Sequence, residues 1–235
     1  MRRLLVMGAA VAWLLVAAGG AAQAAGHANV RPYYLLPWNA GAVGAVEQGW
    51  GGDTSHGEGE DDEFAWDFSY TVNFSVRAAR TGVVLALREN QGVGECDNSY
   101  GEEANYVRIG HPDGTESLYY HLKQNSVTVS VGQWVTSYQI IGLSDESGYT
   151  CGDHVHFQVQ QSCTPSGVPG MCQSIRASFQ DPDVLSQVDD GVPVHNGAYR
   201  SGNHVPGTDT VGVTGRVRGL GFGSCATPTP PGRRI

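Results

Sequence analysis

Short stretches of alternating apolar and polar residues, separated by turn-forming residues, dominate the chain between residues 43 and 161. Alternation with a period of two is typical of β-strands that are buried on one face. The predicted strands are Phe64–Phe68, Ser75–Arg88, Ala104–Ile109, Glu116–Lys123, Ser126–Val131, Gln139–Leu143 and His154–Gln161. The sequence lacks long helical periodicity. We therefore predict an all-β fold: a compact antiparallel β-sheet, a sandwich/barrel-like hybrid of short strands, with long loops that frame a groove.

The last predicted strand carries two histidines, His154 and His156, separated by one residue. Alternation places both on one face with Gln158 and Gln160, while the apolar residues between them face the core. Two close imidazoles suit a divalent metal, or one metal ligand and one proton carrier. An exposed strand without a function is the alternative interpretation of this pair alone.

Asp67 and His56 form a second group of candidates. Within Phe64–Phe68, alternation separates Asp67 from the large aromatic residues. A carboxylate flanked by large apolar residues is costly to bury without a partner, and a metal ion is one such partner. A backbone hydrogen bond at the strand end is the alternative. His56 precedes this strand in a turn-rich segment, where a lone histidine is more often a surface residue than a ligand.

A third candidate, His121, lies in the strand predicted at Glu116–Lys123. Alternation predicts that Tyr119 and His121 share one face of this strand. Leu118, Tyr120 and Leu122 are then expected on the other face. A lone histidine on a strand is more often structural than catalytic. His121 alone therefore does not indicate a catalytic role, and such a role depends on the other candidate residues.

The N-terminus has the features of a secretory signal peptide. Arg2 and Arg3 precede an apolar stretch, Leu4–Ala18, and Ala22-Gln23-Ala24 fits a signal-peptidase site. We expect residues 1–24 to be removed, the mature chain to be exported to the periplasm or the extracellular space, and no membrane span to remain. An uncleaved N-terminal anchor is the alternative.

The charge of the chain excludes one class of partner. Its formal net charge is −9, and loss of two arginines with the leader makes it −11. Nucleic-acid-binding proteins neutralise phosphates with lysine and arginine, so we expect no nucleic-acid partner. The charge does not choose among other partners, and the sequence gives no oligomeric state.

Five cysteines, Cys96, Cys151, Cys163, Cys172 and Cys225, are compatible with disulfide bonds in an exported protein. Sequence alone leaves the pairing open. The turn-rich segment between Cys163 and Cys172 favours a bridge between these two residues. We predict Cys96–Cys151 as the second bridge and leave Cys225 unpaired. The cysteine spacings fit no zinc knuckle.

The order of the candidate residues is similar to that of a known family. The chain presents, in order, Ser55-His56-Gly57, Asp67-Phe68, Tyr119-Tyr120-His121-Leu122 and Gly152-Asp153-His154-Val155-His156-Phe157. This series resembles the M23 family of zinc metallopeptidases, the lysostaphin and LytM type of peptidoglycan endopeptidase. Supporting stretches are Val76–Val84, Val131–Val135 and Ile140–Gly142, so the resemblance spans about residues 49–159.

The resemblance implies a role for each candidate residue. His56, Asp67 and His156 would bind one Zn²⁺ per chain and leave a fourth position for water. Zinc would lower the pKa of that water toward about 7 and polarise the scissile carbonyl. His154 would act as the general base, and His121 would hold or protonate the tetrahedral intermediate. The division of labour between these two histidines stays open.

The chain departs from the family pattern at several positions. Gly57 follows His56 directly, Asp153 stands where proline is usual, and Thr71–Phe74 replaces a glycine-containing turn. An acidic run at 58–63 lacks the D-x-D-x-D-G pattern of a calcium loop, which favours a solvated loop over a second cation site. None of these departures removes a predicted ligand or proton carrier.

The expected domain organisation follows from these motifs. We predict a signal peptide at 1–24, a lead-in at 25–42, an M23-like peptidase domain at 43–173 and a C-terminal extension at 174–235. Residues 226–235 are rich in proline and threonine and are expected to be disordered.

The resemblance implies a secreted zinc-dependent endopeptidase that hydrolyses peptide bonds in bacterial cell-wall peptidoglycan. Its substrates would be stem or cross-bridge peptides, and a histidine base would activate the zinc-bound water. The alternative is a non-catalytic or latent M23-like module that binds or regulates the cell wall. A third hypothesis, an exported disulfide-bonded β-domain with structural histidines, predicts no stoichiometric zinc.

Overall fold

The computed structural model describes residues 32–52, 54–164 and 168–203. The strands in these ranges are β1 (Tyr33–Tyr34), β2 (Val43–Gln48), β3 (Trp66–Ser69), β4 (Ser75–Arg77), β5 (Gly82–Arg88), β6 (Tyr106–Gly110), β7 (Thr115–Tyr120), β8 (Trp134–Val135), β9 (Ile140–Leu143), β10 (Val155–Gln161), β11 (Ser178–Phe179) and β12 (Ala198–Arg200). A 3-10 helix spans Asn98–Glu103, and a short α-helix, α1, spans Pro182–Gln187. The predicted all-β class is confirmed.

In the described part of the chain, eight strands form one sheet in the order β12-β2-β3-β10-β7-β6-β5-β8. Every neighbouring pair in this sheet is antiparallel. Strands β4 and β9 form a small antiparallel sheet, and β1 pairs with β11 in parallel. The large sheet is open at β12 and β8, so it does not close into a barrel.

The core lies against the apolar face of the large sheet. Val155, Phe157 and the aromatic pair Trp66 and Phe68 are fully buried there. Phe179, from β11, packs edge-on against Trp66 with ring centroids 5.1 Å apart. Full burial of one such side chain contributes roughly 1.5–3 kcal/mol, so this face anchors β3 and β10 firmly beside each other.

The opposite face of β10 is polar and is nevertheless buried. His156 is 5% exposed, and Gln158 and Gln160 are fully buried. The predicted alternation along this strand is therefore confirmed. The burial arises because Gly170 and Cys172 pass over this face and accept hydrogen bonds from the two glutamines through their carbonyl groups.

Two predicted strands differ from the structure. The stretch 75–88 divides into β4 and β5, which belong to different sheets. The stretch 126–131 forms no strand, because side chains replace the expected backbone ladder. Val127 N donates to the Glu89 carboxylate at 3.1 Å, and the Ser126 hydroxyl accepts from Leu143 N at 3.1 Å.

The alternation predicted around His121 is also wrong. Strand β7 ends at Tyr120, and His121 adopts a left-handed backbone conformation with φ of 61°. This conformation reverses the side-chain direction at the strand end. Tyr119 lies in the main core and Tyr120 on the polar face, as alternation predicts, but His121 lies beside Tyr120, and the rings of both are close to that of His156, at 5.8 Å for Tyr120 and 6.3 Å for His121. Leu118 and Leu122, expected on one face, belong to two separate apolar clusters.

Residues on both sides of the predicted boundary at 173 contribute to the same sheets. Strand β12 pairs with β2, and β11 pairs with β1 of the lead-in. The buried carboxylate of Asp181 accepts from Leu36 N at 2.8 Å and also from Gly202 N. Burial raises the pKa of Asp181 to about 6. The lead-in and residues 174–203 thus pack together beside the main sheet.

The structure pairs Cys96 with Cys151 and Cys163 with Cys172, as the sequence predicted, with Cα–Cα distances of 4.6 Å and 6.3 Å. The predicted signal peptide, Cys225 and the segment 226–235 lie outside the described residues. Among the helices of the described ranges, none has the length and hydropathy that crossing a bilayer requires.

Candidate functional site

Asp67 and His156 are direct partners in the antiparallel pairing of β3 and β10. Asp67 Oδ1 lies 3.1 Å from His156 Nδ1, and His56 Nε2 lies 3.4 Å from the same oxygen and 3.3 Å from His156 Nδ1. Zinc bonds of 2.0–2.1 Å in a tetrahedron separate neighbouring ligand atoms by about 3.3–3.4 Å. The three atoms thus already have the spacing of a tetrahedral zinc face.

The outer hydrogen bonds of the two imidazoles determine which nitrogens face this point. His56 Nδ1 lies 3.2 Å from the carbonyl oxygen of Gly49, which can only accept, so Nδ1 carries the hydrogen. His156 Nε2 lies 3.1 Å from the amide oxygen of Gln158 and carries the hydrogen for the same reason. Two bare nitrogens and a carboxylate therefore converge, and only a cation or a proton among them relieves the repulsion. The donor set fits a zinc ion.

A buried glutamine on β2 positions both His56 and Asp67. The Gln48 amide oxygen accepts from Thr54 N at 3.1 Å, and its nitrogen donates to Ser55 Oγ at 2.8 Å and to Asp67 Oδ2 at 3.3 Å. A Cβ atom at Gly52 would lie 2.4 Å from the Gln48 side chain, so glycine there lets the loop close around it. His56, predicted to be more often a surface residue, is fully buried as a result.

His154, directly before β10, and His121, directly after β7, lie beside the three candidate ligands. His154 Nδ1 lies 2.9 Å from the Gly152 carbonyl, and its Nε2 lies 3.6 Å from Asp67 Oδ1. His121 Nδ1 lies 2.7 Å from the Ser147 carbonyl. The ring centroids of His121 and His154 are 4.7 Å apart. Each neutral ring therefore holds its hydrogen on Nδ1 and leaves Nε2 bare.

Burial and charge set the protonation states in this cluster. Burial alone would raise the pKa of Asp67, but the charge of protonated His154 and the hydrogen bonds that His156 and His56 donate when they are protonated hold that pKa well below its ordinary value. Burial, aided by the charge on His154, lowers the pKa of His121 to about 3. Burial would also lower the pKa of His156, yet the Asp67 carboxylate raises it. Asp67 is thus a carboxylate and His121 is neutral near pH 7.

The cluster opens into a cleft of about 230 Å³. The cleft is lined by Glu47, Gln48, Thr54, Ser55, Asp67, His121, Tyr149, Thr150, Cys151, Gly152, His154 and His156. The Cys96–Cys151 bridge ties one wall to the segment before the 3-10 helix. Gly94 and Gly148 touch there, since a Cβ atom at Gly94 would lie 1.8 Å from the Gly148 carbonyl oxygen. This wall is therefore held by both a covalent bond and close backbone packing.

Two departures from the family pattern compensate each other. Asp153, where proline is usual, accepts from Asn73 N at 2.7 Å and from Asn73 Nδ2 at 3.0 Å. Asn73 sits in the turn that lacks the usual glycine and has φ of 52°. Asn73 Nδ2 also donates to Asp145 Oδ1 at 3.2 Å. The aspartate thus stabilises a turn that would otherwise need glycine, and it does so beside His154.

The structure brings together all five residues that the sequence singled out. His56, Asp67 and His156 form a group able to hold a metal ion, and His154 and His121 lie at its edge. Sequence reasoning missed Gln48 and Gln158. The signal for Gln158 was its place on the histidine face of β10. Nothing in the local sequence marked Gln48, because its role depends on contacts between separate strands.

Part of the chain is similar to a known peptidase family. Residues 63–167 match the description of Peptidase family M23, a match that contains Asp67, His121, His154 and His156 and begins after His56. A curated protein described as an uncharacterized metalloprotease, from Buchnera aphidicola subsp. Baizongia pistaciae (strain Bp), is 29% identical over 93 residues. That alignment covers 40% of this chain and 22% of the relative, so the chain matches about a fifth of the relative's length.

Two solved structures match part of this chain at low similarity. A zinc-containing peptidase from Vibrio cholerae is 20% identical, with a TM-score of 0.39, over 63% of this chain and 41% of that chain. Lysostaphin, the antimicrobial peptidase from Staphylococcus simulans, is 25% identical, with a TM-score of 0.36, over 48% of this chain and 42% of that chain. Residues 63–167, somewhat less than half of the chain, are thus similar to peptidase family M23.

Proposed function

We propose that this protein is an exported zinc-dependent endopeptidase that hydrolyses peptide bonds in bacterial cell-wall peptidoglycan. The observation that carries the proposal is the convergence of His56 Nε2, His156 Nδ1 and Asp67 Oδ1 at mutual distances of 3.1–3.4 Å. The match to a peptidase family supports the reaction class. Export is supported by the signal-like N-terminus of the sequence.

His56, Asp67 and His156 would hold the zinc ion. Zinc bound there would lower the pKa of a water molecule and polarise the carbonyl of the scissile bond. Asp67 would bind through Oδ1, because Gln48 donates to its other oxygen at 3.3 Å. The Gly49 carbonyl and the Gln158 amide would keep the two histidines oriented throughout the reaction.

His154 is assigned as the general base. Its Nε2 is bare when neutral, faces the cleft and lies 3.6 Å from the ligand oxygen of Asp67. It takes one proton from the attacking water while the water oxygen bonds to the peptide carbonyl carbon. The C–N bond then breaks, and the proton passes to the leaving amine. The Gly152 carbonyl holds the ring in place through Nδ1.

His121 is assigned to the charge that develops on the carbonyl oxygen. A neutral His121 has its hydrogen engaged by the Ser147 carbonyl, so Nε2 can donate only after it receives a proton. His154, with its ring centroid 4.7 Å away, is the group that can supply this proton. The proton taken from water thus lies on His154 or His121 only while the tetrahedral intermediate exists, and it leaves with the amine when the C–N bond breaks.

The substrate class follows from the family resemblance and from the open cleft. A stem or cross-bridge peptide in an extended conformation would bind in the cleft whose lining includes Gln48, Ser55, Tyr149 and Thr150. The residues that line the cleft include no aliphatic side chain, which suits glycine, alanine or D-amino acids better than large hydrophobic side chains.

The proposal is tested with the purified chain and purified peptidoglycan. Bound zinc is counted, and new amino termini are measured with and without a chelator. One zinc per chain and chelator-sensitive release of amino termini are expected. Zinc binding without cleavage would identify a cell-wall binding module instead. Absence of zinc would favour the disulfide-bonded domain with structural histidines.

A further inference from the structure

A continuous row of buried polar side chains runs along β10 away from the cleft. After His156 come Gln158 and Gln160, both fully buried, and then Glu116 of β7, which is 2% exposed. Burial of uncharged amides is unfavourable unless every donor and acceptor has a partner. A row of this kind needs a reason, since apolar residues at these positions would pack at lower cost.

The direction of each amide in this row is fixed by backbone groups. Gln158 Nε2 donates to the Cys172 carbonyl at 2.8 Å, and a carbonyl can only accept. Gln160 Oε1 accepts from Cys172 N at 3.0 Å and from Gln158 Nε2 at 2.9 Å. Gln160 Nε2 donates to the Gly170 carbonyl at 3.1 Å and to Glu116 at 3.2 Å. The amide oxygen of Gln158 must therefore point toward His156.

A single hydrogen bond, between Gln158 and His156, links this row of amides to the candidate metal ligands. The Gln158 oxygen lies 3.1 Å from His156 Nε2 and requires a hydrogen there. The neutral ring then has a bare Nδ1, which is the nitrogen that lies 3.1 Å from Asp67 Oδ1 and 3.3 Å from His56 Nε2. A change in the Gln158 amide would allow the hydrogen to move to Nδ1 and block the ligand atom.

We propose that Gln158, clamped by the disulfide-closed turn at Cys172, is a positioning residue that fixes the Nε2–H tautomer of His156 and thereby presents Nδ1 to the metal. The inference rests on the proposed zinc site for its consequence, but the tautomer itself exists without metal. It also gives the Cys163–Cys172 bridge a function, because this bridge holds the backbone that orients Gln158.

The first measurement uses the full chain without metal. Nitrogen-15 NMR of labelled histidine, at a pH where His156 is neutral, distinguishes a bare ring nitrogen from a protonated one. We expect the hydrogen of His156 on Nε2. A hydrogen found on Nδ1 in the wild-type protein overturns the proposal, whether or not the protein binds zinc or cuts a substrate.

The second measurement compares three variants by the same spectrum and by competition for Zn²⁺ with a chelator. Gln158→Met fills the space without an acceptor and is expected to lose the single tautomer and about 10–100-fold in zinc affinity. Gln158→Glu keeps an acceptor for His156 Nε2 and is expected to keep the tautomer, but its second oxygen faces the acceptors Cys172 O and Gln160 Oε1, so a lower free energy of unfolding is expected. Gln160→Met, a matched buried site on the same face, leaves Gln158 held by Cys172 and is expected to keep the tautomer.

Each outcome has a distinct meaning. Equal losses in Gln158→Met and Gln160→Met would show general loosening of β10 and overturn the positioning role. Unchanged tautomer and affinity in a folded Gln158→Met protein would overturn it as well. A wild-type chain that shows the Nε2–H tautomer but binds no zinc would sink the proposed function while leaving the orientation by Gln158 intact.

Discussion

Asp67 Oδ1 lies 3.1 Å from His156 Nδ1 across the pairing of β3 and β10. The ring nitrogen that faces the carboxylate is the bare one, since the other nitrogen donates to Gln158. An acceptor that faces another acceptor is unfavourable in a metal-free site and favourable around a cation. The backbone register thus brings these candidate metal ligands together, and the outer hydrogen bonds determine which ring nitrogen of His156 faces Asp67.

Replacement of His154 separates catalysis from metal binding. His154→Ala removes the proposed base but none of the proposed ligands, so the rate of peptide cleavage is expected to fall by about 10²–10⁴. Zinc content is expected to stay at the wild-type value. Cleavage is followed by release of amino termini from peptidoglycan, and bound zinc is counted in the same samples.

The control for this variant is His111→Gln. His111 contacts Thr81 and Ser117 instead of the cleft, so its loss should leave the rate per folded molecule unchanged. Cleavage by His154→Ala at the wild-type rate would exclude His154 as the base. Loss of zinc in His154→Ala would show that this residue is a ligand.

Asp153 is expected to stabilise the turn at Asn73. Asp153→Ala removes the acceptor for the backbone and side-chain amides of Asn73, at 2.7 Å and 3.0 Å. Loss of an acceptor for partly buried donors costs about 1–3 kcal/mol. Unfolding in urea measures the change in the free energy of unfolding. Glu58→Ala, an exposed acid in the loop before β3, is the control and should change it by less than about 0.5 kcal/mol. Equally small changes in the free energy of unfolding in Asp153→Ala and Glu58→Ala would show that Asp153 does not stabilise the turn at Asn73.

Buried His111 predicts a loss of stability in mild acid. Burial lowers the pKa of His111 to about 4, whereas a histidine in the unfolded chain titrates near 6.5. The unfolded state therefore binds more protons between these values, and stability falls as the pH falls through them. From pH 7 to pH 5 this group accounts for about 2 kcal/mol of lost stability.

The measurement is urea unfolding at pH 7, 6 and 5 in wild type and His111→Gln. Other groups titrate in both proteins, so the difference between their pH dependences isolates His111. The variant is expected to have the flatter profile by about 2 kcal/mol over this range. Parallel profiles would show that His111 does not titrate differently on unfolding.

The limits of sequence reasoning are visible at particular residues. Alternation correctly placed Asp67 and His156 on the polar side of their strands, because both strands are regular and have aromatic residues on the other side. It failed at His121, where one left-handed residue reverses the side chain at a strand end. Local pattern also gives no information about Gln48, whose four hydrogen bonds depend on a loop that folds back onto β2.

Burial of the polar face of β10 was equally beyond the local pattern. Gln158 and Gln160 follow the alternation of an exposed face, yet both are fully buried. The cover comes from a turn that the Cys163–Cys172 bridge closes, and the sequence predicted this bridge without indicating where it packs. Long-range packing, which decides such contacts, is encoded by the whole chain and not by any short segment.

Zinc binding by Asp67→Asn tests the central claim most directly. The substitution keeps the size of the side chain and its contact with Gln48 but removes the negative charge that faces His56 and His156. Competition with a chelator should show one tightly bound zinc in wild type and at least about 100-fold weaker binding in the variant, more than loss of an outer-shell partner costs. Wild-type affinity in Asp67→Asn, or a wild-type chain without zinc, would contradict a metal centre built from His56, Asp67 and His156.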